Sequence, residues 1–456
     1  MSHHFGVSRY RACRTLLAAA IGVVLNPAYS ATVQIAATKS TGVPRTTVIP
    51  VTKCEDDLSP GTLRYEVAFA SSGDTVDLSA LACSTITLSG LAIAVPQDFL
   101  YLKGPTNHEL TIDAAFNSRV LVHLGAAKID ISDLTFANGH NFDDASPYGG
   151  CIYSESSVVL RNSKITNCSV SVGSLHAGGG GVATLGDLFL YGATIESSYA
   201  ASSAYTARVY GGGAYIGGDL RAFNSVIDSN SAETGGGMYV SGSVTIVAST
   251  ISRNAASSFI GGIALVDVGG PQDNTITNST ISQNSSSFEY GGIWTERNLT
   301  IANSTIAFNH GYSSSSDRYV GIHSAGASIT VQSSIVSNNT GRDGAASDIG
   351  GSNGALLAAT SAKNLITSSN FPLPPDTVTR CARLQPLANN GGKTPTHALS
   401  LNSTAIDKGN DGGLMVDQRG APRAVNGVAD IGSVERQLGE VDDRDCSSGF
   451  DELCDQ

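Results

Sequence analysis

Residues 236–254, GGMYVSGSVTIVASTISRN, carry the pattern that decides the fold. Val244 and Ile246 stand seven and five positions before Ile251, with polar residues between them. Successive side chains of a strand point to opposite faces, so this spacing describes a strand with one buried face. The doublet Gly236-Gly237 precedes that strand and Asn254 follows the anchor by three positions. The same order recurs with anchors at Phe136, Ile165, Ile195, Ile227, Ile251, Ile281, Ile306 and Val336, at intervals of 29, 30, 32, 24, 30, 25 and 30 residues. Self-similarity at a period of about twenty to fifty residues marks a solenoid.

One such coil cannot bury its apolar side, but stacked coils bring the inward columns together and pair every backbone edge with the next rung. The positions seven before the anchors are apolar except for Asn274. Glycine doublets at 149–150, 179–180, 212–213, 236–237, 261–262 and 291–292, and the single Gly321, mark corners where backbone approaches closely. Asn230, Asn254, Asn284, Asn309 and Asn339 form a column whose amides can bond to one another, a structural ladder at a turn. The expected architecture is all-β, a right-handed parallel β-helix running from about Val120 to about Asn339. With strands about 4.8 Å apart, its eight coils make a rod of roughly 40 Å or longer. Alternation with period two excludes helical solenoids, and the repeats are too short for propeller blades.

The bulk properties agree with an exported protein. Arg9, Arg11 and Arg14, then the apolar run Leu16 to Leu25, then Ala28-Tyr29-Ser30, have the order of a secretory signal peptide over residues 1–30. No later segment is apolar enough for a transmembrane helix. Charged residues make up only 14% of the chain, and the net charge of −12 repels nucleic acid and anionic membranes at long range. Seven cysteines follow the signal. In an oxidising compartment, sequence proximity pairs Cys54 with Cys83, Cys151 with Cys168 and Cys446 with Cys454, leaving Cys381 over. A metal site is the competing reading, but there is no Cys-x-x-Cys or His-x-x-x-His spacing, and no cofactor is called for.

The segment from Cys54 to Ala70 places Ser59 and Pro60 where a helix starts, with Leu63 and Val67 as one apolar face, a short lid for the first coil. This stretch, with Asn117-Ser-Arg-Val-Leu-Val-His123 and Leu134-Thr-Phe-Ala-Asn-Gly139, resembles the CSLREAI-type N-terminal region of exported β-helix proteins and relatives of polymorphic outer-membrane proteins. Gly61-Thr-Leu-Arg-Tyr-Glu-Val67 departs from the motif that names it. Leu384-Gln-Pro-Leu-Ala-Asn-Asn-Gly-Gly, Ala405-Ile-Asp-Lys-Gly409, Asp417-Gln-Arg-Gly420 and Asp430-Ile-Gly432 resemble the choice-of-anchor Q region. Together the resemblances imply a pectin-lyase-like β-helix with a loop-rich C-terminal cap, outside the cell or at its surface, periplasmic and outer-membrane sites included. They imply little about activity. The expected divisions are 1–30 (signal), 31–115 (N-terminal cap and first coils), 116–350 (repeats), 351–380 (connection), 381–436 (anchor-like region) and 437–456 (acidic tail). Asp407, Asp417 and Asp430 read as turn acceptors, with calcium as the competing reading. The tail resembles Gly-Phe-Asp endings of exported proteins.

A polysaccharide-degrading enzyme is the alternative that this fold raises, and it has to be tested on residues. Asp143-Asp144 after Gly139-His140 is the one carboxylate pair near a histidine in the repeats; in an extended segment the two would point to opposite faces. Arg161, Arg221, Arg253 and Arg297 fall at unequal offsets from their anchors and form no column. His123, His140, His176, His310 and His323 do not recur at equivalent positions with acidic partners, as a relay would require. The repeated chemistry is aromatic. Tyr153, Tyr215 and Tyr239 share one register after the doublets, with Trp294 one position out of it, and Tyr148, Tyr210 and Tyr290 precede doublets. Such rings can contact a polysaccharide or another cell-surface component, or they can cover the glycine-rich corners. The expectation is a non-catalytic surface protein for adhesion, with a polysaccharide lyase or glycoside hydrolase as the alternative.

Overall fold

The computed structural model describes residues 46–106, 110–204, 207–269, 274–312 and 319–440. The expected signal peptide and the pair Cys446 and Cys454 lie outside these residues. Within them the strands form parallel sheets of twelve, eleven, ten and seven members, with a two-stranded piece beside them. In each sheet a strand pairs with the equivalent strand of the preceding and following coils, which is the topology of a parallel β-helix. Pairing runs from Val48–Pro50 against Thr75–Asp77 to Leu365–Ile366 against Ile335–Val336, past both expected limits.

The registers follow the inward columns. Val158 pairs with Leu188, Leu188 with Leu220 and Leu220 with Val244, and Ile165, Ile195, Ile227, Ile251, Ile281 and Ile306 align one above another. All are fully buried in one core that runs the length of the stack. Asn274 begins the strand after residues 270–273, where its backbone does not yet pair with Val244. Its Oδ1 accepts from the Val244 N–H at 3.0 Å and its Nδ2 donates to the Asn298 carbonyl at 2.9 Å, so the amide supplies the missing rung.

The asparagine column is a continuous ladder. Nδ2 of Asn230 donates to Oδ1 of Asn254 at 3.0 Å, and the pattern repeats through Asn284, Asn309 and Asn339 to the carboxylate of Asp348. Each Oδ1 also accepts the backbone N–H of the residue below, so no rung leaves a buried amide unsatisfied. A second ladder, not legible in the spacing, runs through the hydroxyls of Ser225, Ser249, Ser279, Ser304 and Ser334 and ends on Asn364.

Glycines stand opposite the asparagines for steric reasons. A Cβ on Gly213 would lie 3.0 Å from the Asn230 amide and 2.7 Å from the Gly237 carbonyl. In the first coil of this series the two positions are Cys151 and Cys168, which form a disulfide. The Gly–Asn contact of later coils is thus a covalent bond there. Cys54 and Cys83 form a second disulfide near the N-terminal end. Cys381, expected to be left over, is disulfide-bonded, which corrects that expectation; its partner is not among the described residues.

The N-terminal helix, α1, spans Leu63–Phe69 and buries Leu63 and Val67. It starts later than Ser59-Pro60, because Gly61 takes a φ of +96° and Thr62 is the cap, accepting from the Tyr65 N–H. Gln97 Nε2 donates to the carbonyls of Val67 and Ala70 and closes the other end. The C-terminal region is loop-rich and lies along the flank of the stack. The outward hydroxyl of Thr250 donates to the Pro395 carbonyl, Thr280 meets Gln418 and Ser433, and Ser282 meets His397. An apolar cluster of Ala307, Ile335, Leu365, Leu384, Leu399 and Ile431 completes this contact.

Candidate functional site

Strand pairing places Tyr153, Ala183, Tyr215, Tyr239, Ala264, Trp294 and His323 in one outward column of the ten-stranded sheet. Trp294 is in register with the tyrosines, which corrects its expected offset. Trp294 stands two positions after Gly291-Gly292, as Tyr215 and Tyr239 do after Gly212-Gly213 and Gly236-Gly237, and it is Tyr153 that follows its doublet Gly149-Gly150 by three, because Cys151 takes the place of the last glycine of that corner.

The column is partly roofed by the turn that precedes each corner. The Tyr210 ring is 4.5 Å from that of Tyr239 and 6.5 Å from that of Tyr215, and Tyr148 approaches Tyr215 at 5.3 Å. Tyr215 and Tyr239 stack in parallel at 5.6 Å. Further along, Ile260, Ala264 and Tyr290 form a buried satellite cluster against which Tyr239, Phe259 and Trp294 pack. Tyr215, Tyr239 and Trp294 remain half-exposed, whereas Tyr153 is 7% exposed. Burial pushes the Tyr153 hydroxyl up to about 12, and Arg119 lies 5.8 Å from its ring centre. The column is therefore a half-covered ridge and not four open rings.

Arg119 also explains the segment around Asp143 and Asp144. Its guanidinium donates to the carbonyls of Ser146, Tyr148 and Gly149, and burial lowers its pKa to about 10. Asp143 accepts from the Ala145 N–H at 2.9 Å, and Asp144 accepts from the Gly173 N–H and the Ser174 hydroxyl of the next coil. Both carboxylates are engaged in holding loops. His140 meets Ser169, and His323, 1% exposed, lies 4.5 Å from the Tyr290 ring. In the C-terminal region Asp417 and Asp430 accept backbone N–H groups of Arg419, Ala421, Glu435, Asp407 and Arg436. That is the turn role. Among the described residues no group of three or more His, Cys, Asp or Glu is placed to hold a metal ion.

A second aromatic face escaped the sequence reading. On the outside of the twelve-stranded sheet, Arg161, Tyr191 and Phe223 occupy one column, and Val159, Phe189 and Arg221 the next. Arg161 sits over Tyr191 at 4.7 Å, Arg221 over Phe189 at 5.7 Å and Lys128 over Phe99 at 5.0 Å. Tyr191 and Phe223 stack at 5.6 Å with ring planes 3° apart. Arg161 and Arg221 do not share a column, as the offsets indicated, but they share a face, whereas Arg253 pairs with Asp228 beside another sheet and Arg297 is buried. The signal was available at four and six positions before the anchors, where Arg, Tyr and Phe alternate from coil to coil.

Among the described residues no helix is long and apolar enough to cross a membrane. Compared with protein-family models, curated proteins and solved structures, the chain finds no match, so the resemblances of its two ends rest on their motifs and the parallel β-helix stands on its own geometry.

Proposed function

We propose that this is an exported, surface-associated β-helix that works by binding, without cleavage, and that the ridge of Tyr153, Tyr215, Tyr239 and Trp294 contacts a polysaccharide or another cell-surface component. The observation that carries this reading is the single outward column that these residues share, with three of the four rings half-exposed. Amphipathic rings held rigidly by neighbours give contact area at little entropic cost. The engagement of Asp143 and Asp144 in loop hydrogen bonds supports the non-catalytic half. Two disulfides are compatible with an oxidising compartment, and the N-terminal sequence supports export.

The test is a panel of neutral and acidic polysaccharides presented to the mature protein and scored for retention and for new reducing or unsaturated ends. Retention without cleavage, lost in Y215A/Y239A/W294A while the circular dichroism is unchanged, is the expected result. Release of sugar ends that disappears in D143N or D144N would reassign the protein to a polysaccharide lyase or glycoside hydrolase.

A further inference from the structure

The second aromatic face lies on a different sheet from the ridge, and its chemistry differs. Each of its cations rests on a ring: Lys128 on Phe99, Arg161 on Tyr191 and Arg221 on Phe189. The face spans five successive strands, roughly 20 Å along the stack. Arg161 and Arg221 are exposed, and Phe189, Tyr191 and Phe223 are half-exposed. Arg161 is paired with Asp130 at 3.0 Å, while Arg221 lies over Phe189. The chain as a whole carries −12, so this is a local reversal of its charge.

The arrangement of planar groups selects among partners. Guanidinium, phenol and phenyl planes stack along the column, so ring faces are occupied by neighbours and ring edges point outward. A sugar therefore finds no open ring face, and Val159, Phe189 and Phe223 offer its hydroxyls nothing to bond with. A nucleic acid would face the long-range repulsion of the whole molecule with three cations to offset it. Tyr, Phe and Arg around an apolar centre are instead the composition of protein–protein hot spots, and a guanidinium fixed on a ring is oriented for a carboxylate.

The chain itself contains a segment of matching chemistry. Residues 441–456, VDDRDCSSGFDELCDQ, hold six carboxylates, one arginine and the apolar pair Phe450 and Leu453. They follow Glu440, which is held by Arg419 and Arg436 on the flank of the later coils, whereas the face belongs to earlier coils of another sheet. We propose that the face of Lys128, Arg161, Phe189, Tyr191, Arg221 and Phe223 receives the acidic segment 441–456 of a second copy of this chain.

The test uses the mature protein and a fluorescein-labelled peptide of residues 441–456 with Ser at both cysteine positions. The peptide should bind the protein, and binding should weaken at least tenfold in R161Q/R221Q and on raising salt from 50 to 500 mM, while R221Q alone, which leaves the Arg161–Asp130 pair in place, weakens binding with the parent's urea midpoint and circular dichroism retained. Sedimentation should show concentration-dependent association of the full chain that is lost on removing residues 441–456. Equal peptide binding by R161Q/R221Q, or no binding at all, overturns the proposal. A monomeric full chain whose truncated form alone takes up the peptide assigns the face to the chain's own segment and overturns the second-copy assignment. Displacement of the peptide by polygalacturonate together with an absence of self-association gives the face to a sugar chain instead.

Discussion

At the residue scale, the Gly213–Asn230 contact shows why glycine recurs at the corners. The methyl group of G213A would have to fit 2.7 Å from the Gly237 carbonyl, inside a rung that cannot shift without its neighbours. Overpacking of this kind costs about 1–3 kcal/mol, and a urea midpoint lowered accordingly is the expected outcome. N284A acts in the opposite sense, by deletion: it removes the acceptor for both the backbone and side-chain N–H groups of Asn254. Leaving such buried donors unmade costs about 1–3 kcal/mol each, so N284A should be the more damaging of the two in the same titration. Two buried carboxylates add a pH dependence. Burial pushes Glu435 up to about 7 and Asp348 up to about 6. Both folded-state values lie above the ordinary carboxylate range, so their contribution to stability is fully present below that range and is lost as pH rises through 6 and then 7. The urea midpoint should fall between pH 5 and 8, and E435Q should flatten the upper part of that slope. An unchanged slope in E435Q would remove Glu435 from the account.

At the element scale, the disulfide Cys151–Cys168 occupies the positions that hold Gly213 and Asn230 two coils on. The pair C151G/C168N should therefore restore a contact the fold already uses. It should lose less stability than C151A/C168A, which deletes the bond without an amide to replace it. Closing a loop of this size contributes about 3 kcal/mol, so the difference is measurable by denaturation with and without reductant. These positions also show what the sequence made visible. The inward columns were legible because period-two alternation survives every change of repeat length. The one-residue offset belongs to Tyr153 and not to Trp294, because a cysteine stands at 151 where later coils have their last glycine, and glycine counting cannot see a position defined by contact. The face of Phe189, Tyr191 and Phe223 is hard to read for a related reason: a column accepts any side chain that stacks, so it need not repeat one residue type.

At the scale of the whole molecule, the C-terminal region converts an outward face into an interior one. Thr250, Thr280, Ser282 and Thr305 are buried because residues 394–433 meet them, and Ala307 and Ile335 are buried by the same contact. Nothing in the repeat announces this, since the Thr-Ile-Ser pattern reads as a half-solvated strand in any coil. Removal of residues 382–456 should leave the early coils paired but expose the Ile335 and Leu365 surface, with increased dye binding and faster proteolysis confined to sites after about residue 250. Uniform resistance across the truncated chain would show the flank to be dispensable.

That flank contact covers the later coils, from Ala248 onward, while both described disulfides sit in the coils up to Cys168. The stretch from about Val182 to Val247 has neither brace, and is held by strand pairing, ladders, core and ring stacking. A stack pulled from its two ends shares one tension through all its rungs, so rupture begins where reinforcement is least. Under a stretching force the middle of the rod should yield first, as a fuse between two braced halves. In an optical trap, the first extension step should correspond to roughly sixty residues, and a cysteine pair engineered across Gly213 and Asn230 should abolish that step while leaving the later ones.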